Sequence, residues 1–112
     1  MILDFTSMPT SIMENFKGGE KHLEAKMYWD GTTRIMQARL IPGASIGLHT
    51  HEGSCEIIFI ISGCGTLIDD GTPTPIKAGQ CNYCPEGHSH SLINTGTEDL
   101  VFYAAVPTQT KL

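Results

Sequence analysis

The sequence has few basic residues and no cluster of them. Seven lysines and arginines stand against twelve acidic residues, which gives a net charge of −5 over 112 residues. After Arg39 only Lys77 and Lys111 are basic. Nucleic-acid binding depends on a patch of positive charge that contacts phosphates, so we expect no nucleic-acid partner.

Long apolar runs are also missing. No uninterrupted apolar stretch approaches the ~20 residues that a membrane-spanning helix needs, so we expect no membrane partner. The opening MILDFTSMPT has neither the basic segment nor the long apolar segment of a secretory signal. We therefore expect a cytoplasmic location. There the four cysteines should be reduced rather than paired in disulfides.

Helical periodicity is scarce, whereas turn-forming residues are common. Only residues 11–16 suggest a short helical turn. Twelve glycines and six prolines separate about eight short apolar segments, with turns at pairs such as Asp30-Gly31 and Asp70-Gly71. Short strands with turns every ~8–12 residues are typical of an all-β sandwich or barrel. At this length we expect one domain, with residues 1–30 as an N-terminal arm and first strand and residues 31–112 as the barrel.

The segment GLHTHEGSCEIIFIISG, residues 47–63, places polar residues among strand-forming ones. Side chains alternate between the faces of a strand, so His49 and His51 should point the same way. The same alternation groups Glu56 with Ile58 and Ile60 on an apolar inner face. A carboxylate buried there is costly unless it is compensated, and a divalent cation would compensate it.

A second segment, GQCNYCPEGHSHSLIN, adds a third histidine. His90 begins a predicted strand and shares a face with Leu92 and Asn94. Together the two segments offer three imidazoles and one carboxylate. This mixture of nitrogen and oxygen donors suits a divalent first-row transition metal.

The two segments resemble the two signature motifs of the cupin superfamily. The first reads Gly43-x5-His49-x-His51-x4-Glu56-x6-Gly63, and the second reads Gly79-x5-Pro85-x-Gly87-x2-His90-x3-Asn94. Fifteen residues lie between the motifs, as in small single-domain microbial members. The resemblance implies an all-β, conical double-stranded β-helix, or jelly-roll, barrel. It also implies one divalent metal ion (iron, manganese, nickel or zinc) whose ligands are His49, His51, Glu56 and His90.

The function that this resemblance implies is a metal-dependent enzyme acting on a small oxygen-rich metabolite. A sugar acid, keto acid or diol could be isomerised, cleaved or dioxygenated at such an ion. The alternative is a non-catalytic module that binds a metal or a small ligand, and the sequence leaves the two open. Outside the ligands, His88 and Tyr103 are the candidates for a catalytic role. No further cofactor is expected.

Two other features permit more than one interpretation. Cys81-x-x-Cys84 with His88 could suggest a local zinc site, but positions 81 and 84 face opposite sides of a strand and converge poorly. One of these cysteines should point into the barrel. The outer face of the strand that carries Glu56 is apolar and needs a cover, either the N-terminal arm or a second subunit. Small cupins are commonly dimers, so we expect a homodimer in which the arm takes part.

Overall fold

The computed structural model describes residues 1–109, and the regular structure within them is almost entirely β-strand. Two single-turn 3-10 helices, Phe5–Ser7 and Phe16–Gly18, accompany the strands. In this part of the chain there is no helix with the length and hydrophobicity that a membrane crossing requires. The strands in chain order are β1 (Ser11–Glu14), β2 (His22–Trp29), β3 (Thr33–Leu40), β4 (Ser45–Thr50), β5 (Glu56–Ser62), β6 (Cys64–Asp69), β7 (Thr72–Lys77), β8 (Cys81–Cys84), β9 (Ser89–Ile93) and β10 (Leu100–Pro107).

The strands form two antiparallel sheets, and together these confirm the predicted all-β jelly-roll class. The larger sheet has the order β1-β2-β3-β10-β5-β8, and the smaller has the order β4-β9-β6-β7. Distant parts of the chain therefore become neighbours. Strand β10 lies between β3 and β5, and β9 lies between β4 and β6.

The core fills the space that the inner faces of the sheets enclose. Alternate residues of β10, namely Leu100, Phe102 and Ala104, are buried there. Leu100 is also paired with the fully buried Leu40 across the ladder, which in turn pairs with Leu23. Removal of these apolar side chains from water is the main source of stability in a domain of this size.

The β6–β7 turn and the edge strand β7 contain the residue types that their positions require. Asp70 and Gly71 both have positive φ, 46° and 85°, as a two-residue hairpin turn requires, and they join β6 to β7. Strand β7 contains Pro73 and Pro75, which cannot donate to a ladder. It lies at the edge of its sheet and pairs with β6.

The ten strands exceed the predicted eight, and one prediction behind that count is wrong. Residues 11–16 do not form a helical turn, because Ser11–Glu14 pairs with β2 along its whole length. The pairing places Ile12 and Met13 on opposite faces, so that Met13 packs against the core while Ile12 is half exposed. Continuous pairing with β2, with only Met13 of the four side chains partly buried, is the arrangement of a strand at a sheet edge.

Candidate metal centre

Three histidines and one glutamate converge at one end of the barrel. They are the four residues that the sequence analysis named as metal ligands, His49, His51, Glu56 and His90, and their donor atoms all lie within 4.8 Å of one another. His49 belongs to β4 and His51 follows that strand directly, while Glu56 begins β5 and His90 lies on β9 opposite His49. His51, Glu56 and His90 are buried, and His49 is partly buried.

A β-bulge in β4 turns His49 into the barrel. Ile46 is paired with Leu92, and His49 is paired with His90, so Gly47 and Leu48 together oppose a single residue. The extra residue shifts the alternation of side chains. The buried Ile46 is followed on the inner face by His49, whereas Leu48 is 63% exposed. Without the bulge, regular alternation would have directed Leu48 inward and His49 outward.

Backbone and side-chain acceptors fix the proton on two of the imidazoles. His49 donates from Nδ1 to the carbonyl oxygen of Gly47 over 2.8 Å, and His90 donates from Nδ1 to Asn82 Oδ1 over 2.8 Å. Carbonyl oxygens only accept, so each ring in its neutral form carries the hydrogen on Nδ1 and a lone pair on Nε2. His51 Nδ1 lies 3.3 Å from Ser54 Oγ.

The Nε2 atoms and one carboxylate oxygen face a common point. His90 Nε2 is 3.0 Å from His51 Nε2 and 3.1 Å from His49 Nε2. Glu56 Oε1 is 2.7 Å from His90 Nε2, 3.1 Å from His51 Nε2 and 3.6 Å from His49 Nε2. With Nδ1 protonated, the facing lone pairs of His49 and His90 repel each other unless a cation lies among them.

The spacing of these donors fits a metal ion. Two ligands at right angles around an ion, each with a bond of about 2.1 Å, are ~3.0 Å apart. The contacts of 3.0 and 3.1 Å between imidazoles match that separation. One proton could satisfy one of the contacts in the cluster but not all of them. The donor set therefore fits a single divalent first-row ion.

Glu56 supplies the negative charge of the cluster. Its burial raises the carboxyl pKa, and this is the largest single influence, but the contacts with His49, His51 and His90 lower it. The net effect holds the pKa of Glu56 well below its ordinary value. The carboxylate is therefore ionised, and it is only 5% exposed. A buried anion among three imidazoles is an arrangement that a bound cation stabilises.

A cleft of about 270 Å³ opens beside the cluster, and no motif in the sequence indicated its charged wall. Besides His49, His51 and Glu56, the wall includes Lys17, Arg34 and Glu52 as charged residues and Phe16, Met36, Ile46 and Val106 as apolar ones. Asn82, the acceptor for His90, was also missed. Neither Arg34 nor Asn82 has a recognisable spacing to the histidines in the sequence. Their place near the site could be predicted only if the pairing register of the strands were known.

Neither of the two catalytic candidates lines the cleft. His88 is exposed and its Nδ1 is hydrogen-bonded to Asp70 Oδ2 at the β6–β7 turn. Tyr103 lies on the outer face of the larger sheet, where its hydroxyl accepts from Gln37 Nε2 over 2.8 Å and its ring is 5.7 Å from that of Phe5. A catalytic role for either residue stays a prediction.

The cysteines do not join the cluster within residues 1–109. Cys84 is buried and Cys81 is exposed, so the expectation that one of the pair points inward is confirmed. Their opposite faces keep them apart as zinc ligands. The pKa of the Cys84 thiol is raised to about 11, mainly because the thiol is buried and secondly because Glu56 is negatively charged. All four cysteines are free thiols.

Comparisons with known proteins give one consistent result. The family model described as Cupin domain matches residues 36–106. The chain is 37% identical over 112 residues to an oxalate-binding protein of Thermotoga maritima, a match that covers 95% of this chain and 93% of the relative. The crystal structure of a predicted oxalate decarboxylase from Thermotoga maritima has a TM-score of 0.91 at 34% identity, over 97% of this chain and 100% of that one. A sugar phosphate isomerase of the cupin superfamily from Silicibacter pomeroyi shares the fold, with a TM-score of 0.79 at 22% identity over 98% of this chain and 76% of that one.

Proposed function

The chain belongs to the cupin family, and on that premise we propose that it holds one divalent transition-metal ion on His49, His51, Glu56 and His90. Iron, manganese, nickel and zinc all accept such a donor set. The observation that carries the proposal is the convergence of three imidazole Nε2 atoms on one ionised carboxylate oxygen. When bound there, the ion would supply a Lewis acid for an oxygen ligand.

We propose that the ligand of this centre is a small carboxylate. A divalent ion with one carboxylate keeps a net positive charge, and Lys17 and Arg34 on the cleft wall add to it while Glu52 subtracts. A cleft with net positive charge attracts small anions. The volume of about 270 Å³ limits the ligand to a small metabolite, such as oxalate or a short sugar acid or keto acid. The description of the Thermotoga maritima relative as an oxalate-binding protein supports the same class.

Catalysis on that ligand is the second candidate function. The reaction would be an isomerisation, a cleavage or a dioxygenation of a sugar acid, keto acid or diol. The observation in its favour is that Lys17 and Glu52 line the cleft without belonging to the metal group, so they offer protons and proton acceptors beside a bound ligand. Without turnover, the same cleft serves as a binding module.

Calorimetric titration with oxalate tests the proposed function. Protein loaded with manganese should bind oxalate, and the same protein stripped by a chelator should not. Equal binding by the loaded and stripped forms, or no binding by the loaded form, would refute the proposal. Recovery of the ligand after incubation separates the two candidates, because unchanged oxalate supports a binding module and conversion supports an enzyme.

We also propose that the protein is a homodimer formed through the outer face of the larger sheet. Phe59, Ile61 and Tyr83 lie on this face and are each half exposed. The outward residues of β5 and β8 carry no charge, and a second copy would offer the same apolar face. The arm contributes the contact of Phe5 with Tyr103. Sedimentation should give a dimer that Phe59→Glu converts to a monomer, and a monomeric parent protein would contradict this.

Location and domain organisation complete the proposal. The four free thiols support a reducing compartment, and we propose the cytoplasm. We propose a single domain composed of the arm with the first strand, residues 1–30, and the barrel, residues 31–112, of which 110–112 lie outside the described part. Strand β2 in the first segment pairs with β3 in the second over most of its length, which supports one cooperative unit.

A further inference from the structure

We propose that Arg34 recognises the carboxylate oxygens that a metal-bound dicarboxylate leaves free, and so selects dicarboxylates over monocarboxylates. The inference rests on the proposed function, because it assigns the specificity of the same cleft. A dicarboxylate such as oxalate has oxygens to spare when it binds a metal ion, whereas acetate can use both of its oxygens on the ion. A positive group at the right distance would favour the first over the second.

Strand register places Arg34 on the cleft wall at the level of Glu56. In β3, Met36, Ala38 and Leu40 are buried inward, and alternation puts Arg34 on the same face. Arg34 pairs with Val106 on β10. The last pair of the β10–β5 ladder is Ala105 with Ile57, so the same register continued by one residue would set Val106 opposite Glu56. Two strand spacings then separate Arg34 from Glu56, roughly 10 Å between their Cα atoms. An arginine side chain can span much of that distance and leave room for a small ligand.

The guanidinium of Arg34 has no hydrogen-bonding or ionic partner in the described part of the chain. Within residues 1–109 its Nε is buried without an acceptor. Buried polar atoms in folded proteins are almost always satisfied, and an exception calls for an unseen partner. Nε itself is closed to solvent, so a ligand in the cleft that Arg34 lines would be bound by the rest of the guanidinium. Arg39 on the same strand differs, because it pairs with Glu24 over 2.7 Å.

An aromatic ring holds the guanidinium in place. The central carbon of the Arg34 guanidinium lies 5.1 Å from the centre of the Trp29 ring, and the two residues are direct neighbours across the β2–β3 ladder. This cation–π contact orients the planar group before a ligand arrives. A pre-oriented planar fork of N–H donors matches a carboxylate in geometry as well as charge.

The test compares oxalate with acetate on manganese-loaded proteins by calorimetry. Arg34→Gln should weaken oxalate binding by roughly tenfold or more, as expected for the loss of a charge-assisted hydrogen bond. Acetate binding should change far less. Arg34→Lys keeps the charge but not the fork, so its loss for oxalate should be intermediate. Arg39→Gln removes the same charge from the same strand outside the cleft, and its affinities should match those of the parent protein.

Several outcomes would overturn the assignment. If the parent protein binds oxalate in a metal-dependent manner and Arg34→Gln binds it equally well, the role of Arg34 is wrong while the proposed function stands. If Arg34→Gln lost equal affinity for oxalate and acetate, or if Arg39→Gln lost as much oxalate affinity, the effect would be general electrostatic attraction rather than recognition by Arg34. A lower manganese content in Arg34→Gln would assign the residue to metal retention instead. If the loaded parent binds no oxalate, the proposed function and this inference fall together.

Discussion

The two ends of the barrel are built by the same strands and differ in chemistry. At the closed end, Leu40 on β3 and Leu100 on β10 are paired and fully buried. At the open end, the same two strands pair Arg34 with Val106 beside the metal cluster. On β9 the change from apolar Leu92 to His90 takes two residues. Stability and ligand chemistry therefore occupy separate parts of one interior, and substitutions at the two ends should have separable effects.

The largest expected effect belongs to the closed end. Leu100→Ala removes a fully buried side chain and leaves a cavity, so the free energy of unfolding should fall by about 2–5 kcal/mol. Urea denaturation of the metal-free protein measures this. Val101→Ala, on the outer face of the same strand, is the matched control and should cost much less. A Leu100→Ala protein that keeps its stability but loses metal would contradict the separation of the two ends.

Substitution at the bulge in β4 should have the next largest effect, because the bulge lies between the apolar core and the metal cluster. A Cβ on Gly47 would lie 2.0 Å from the carbonyl oxygen of Lys17, so Gly47→Ala must displace backbone. We expect the displaced backbone to lower the free energy of unfolding by about 1–3 kcal/mol. Metal binding should also weaken, because this bulge orients the His49 side chain toward the other ligands. Leu48→Ala changes the exposed neighbour and should leave both quantities nearly unchanged. An unaltered metal affinity in Gly47→Ala would show that the bulge does not aim His49.

Asn82 should affect metal binding more than stability. Its Oδ1 accepts from His90 Nδ1, so Asn82→Ala frees the ring and should lower metal affinity by about 10- to 100-fold. Asn82→Asp keeps an acceptor at the same place and should retain most of the affinity. Competition with a metal-binding dye gives both values. Equal losses in the two variants would mean that Asn82 acts by packing rather than as an acceptor.

The smallest effect concerns the turn between β2 and β3 at the open end. Asp30 accepts from the backbone N–H groups of Thr32 and Thr33, which lowers the pKa of its carboxyl to about 2. The folded pKa lies below the unfolded one, so this stabilisation is present above the unfolded pKa and is lost as the pH falls through the folded pKa.

Comparison of metal-free parent protein with Asp30→Asn by urea denaturation measures this contribution. The parent should be the more stable at about pH 6, and the difference should shrink toward about pH 2. A difference that does not depend on pH would assign the role of Asp30 to something other than its charge.

The sequence predicted the chemistry of the cluster better than its surroundings. His49, His51, Glu56 and His90 lie within two short motifs whose spacing is local, so their convergence could be expected. Arg34 lines the cleft and Asn82 accepts a hydrogen bond from His90, and both lie on strands that are brought to the cluster by long-range pairing, which no local pattern encodes. The bulge at Gly47 and Leu48 could not be predicted from regular alternation either, because a bulge depends on the partner strand as much as on its own residues.

The face on which Tyr103 lies could not be predicted for a related reason. Its side chain is on the outer face because Phe102 and Ala104 take the inner one. A shift of one residue reverses every side chain of a strand, and the apolar sequence of β10 has no alternation to set the phase. The inner face was determined by packing against the smaller sheet.

The most direct test of the account is the metal content of the protein. Parent protein and a His49→Ala, His90→Ala variant, both purified without a nickel column, would be dialysed against manganese and analysed for bound metal, with circular dichroism to verify folding. The account predicts about one ion per chain in the parent and almost none in a folded variant. No bound metal in either protein, or the same content in both, would contradict the metal centre on which the account depends.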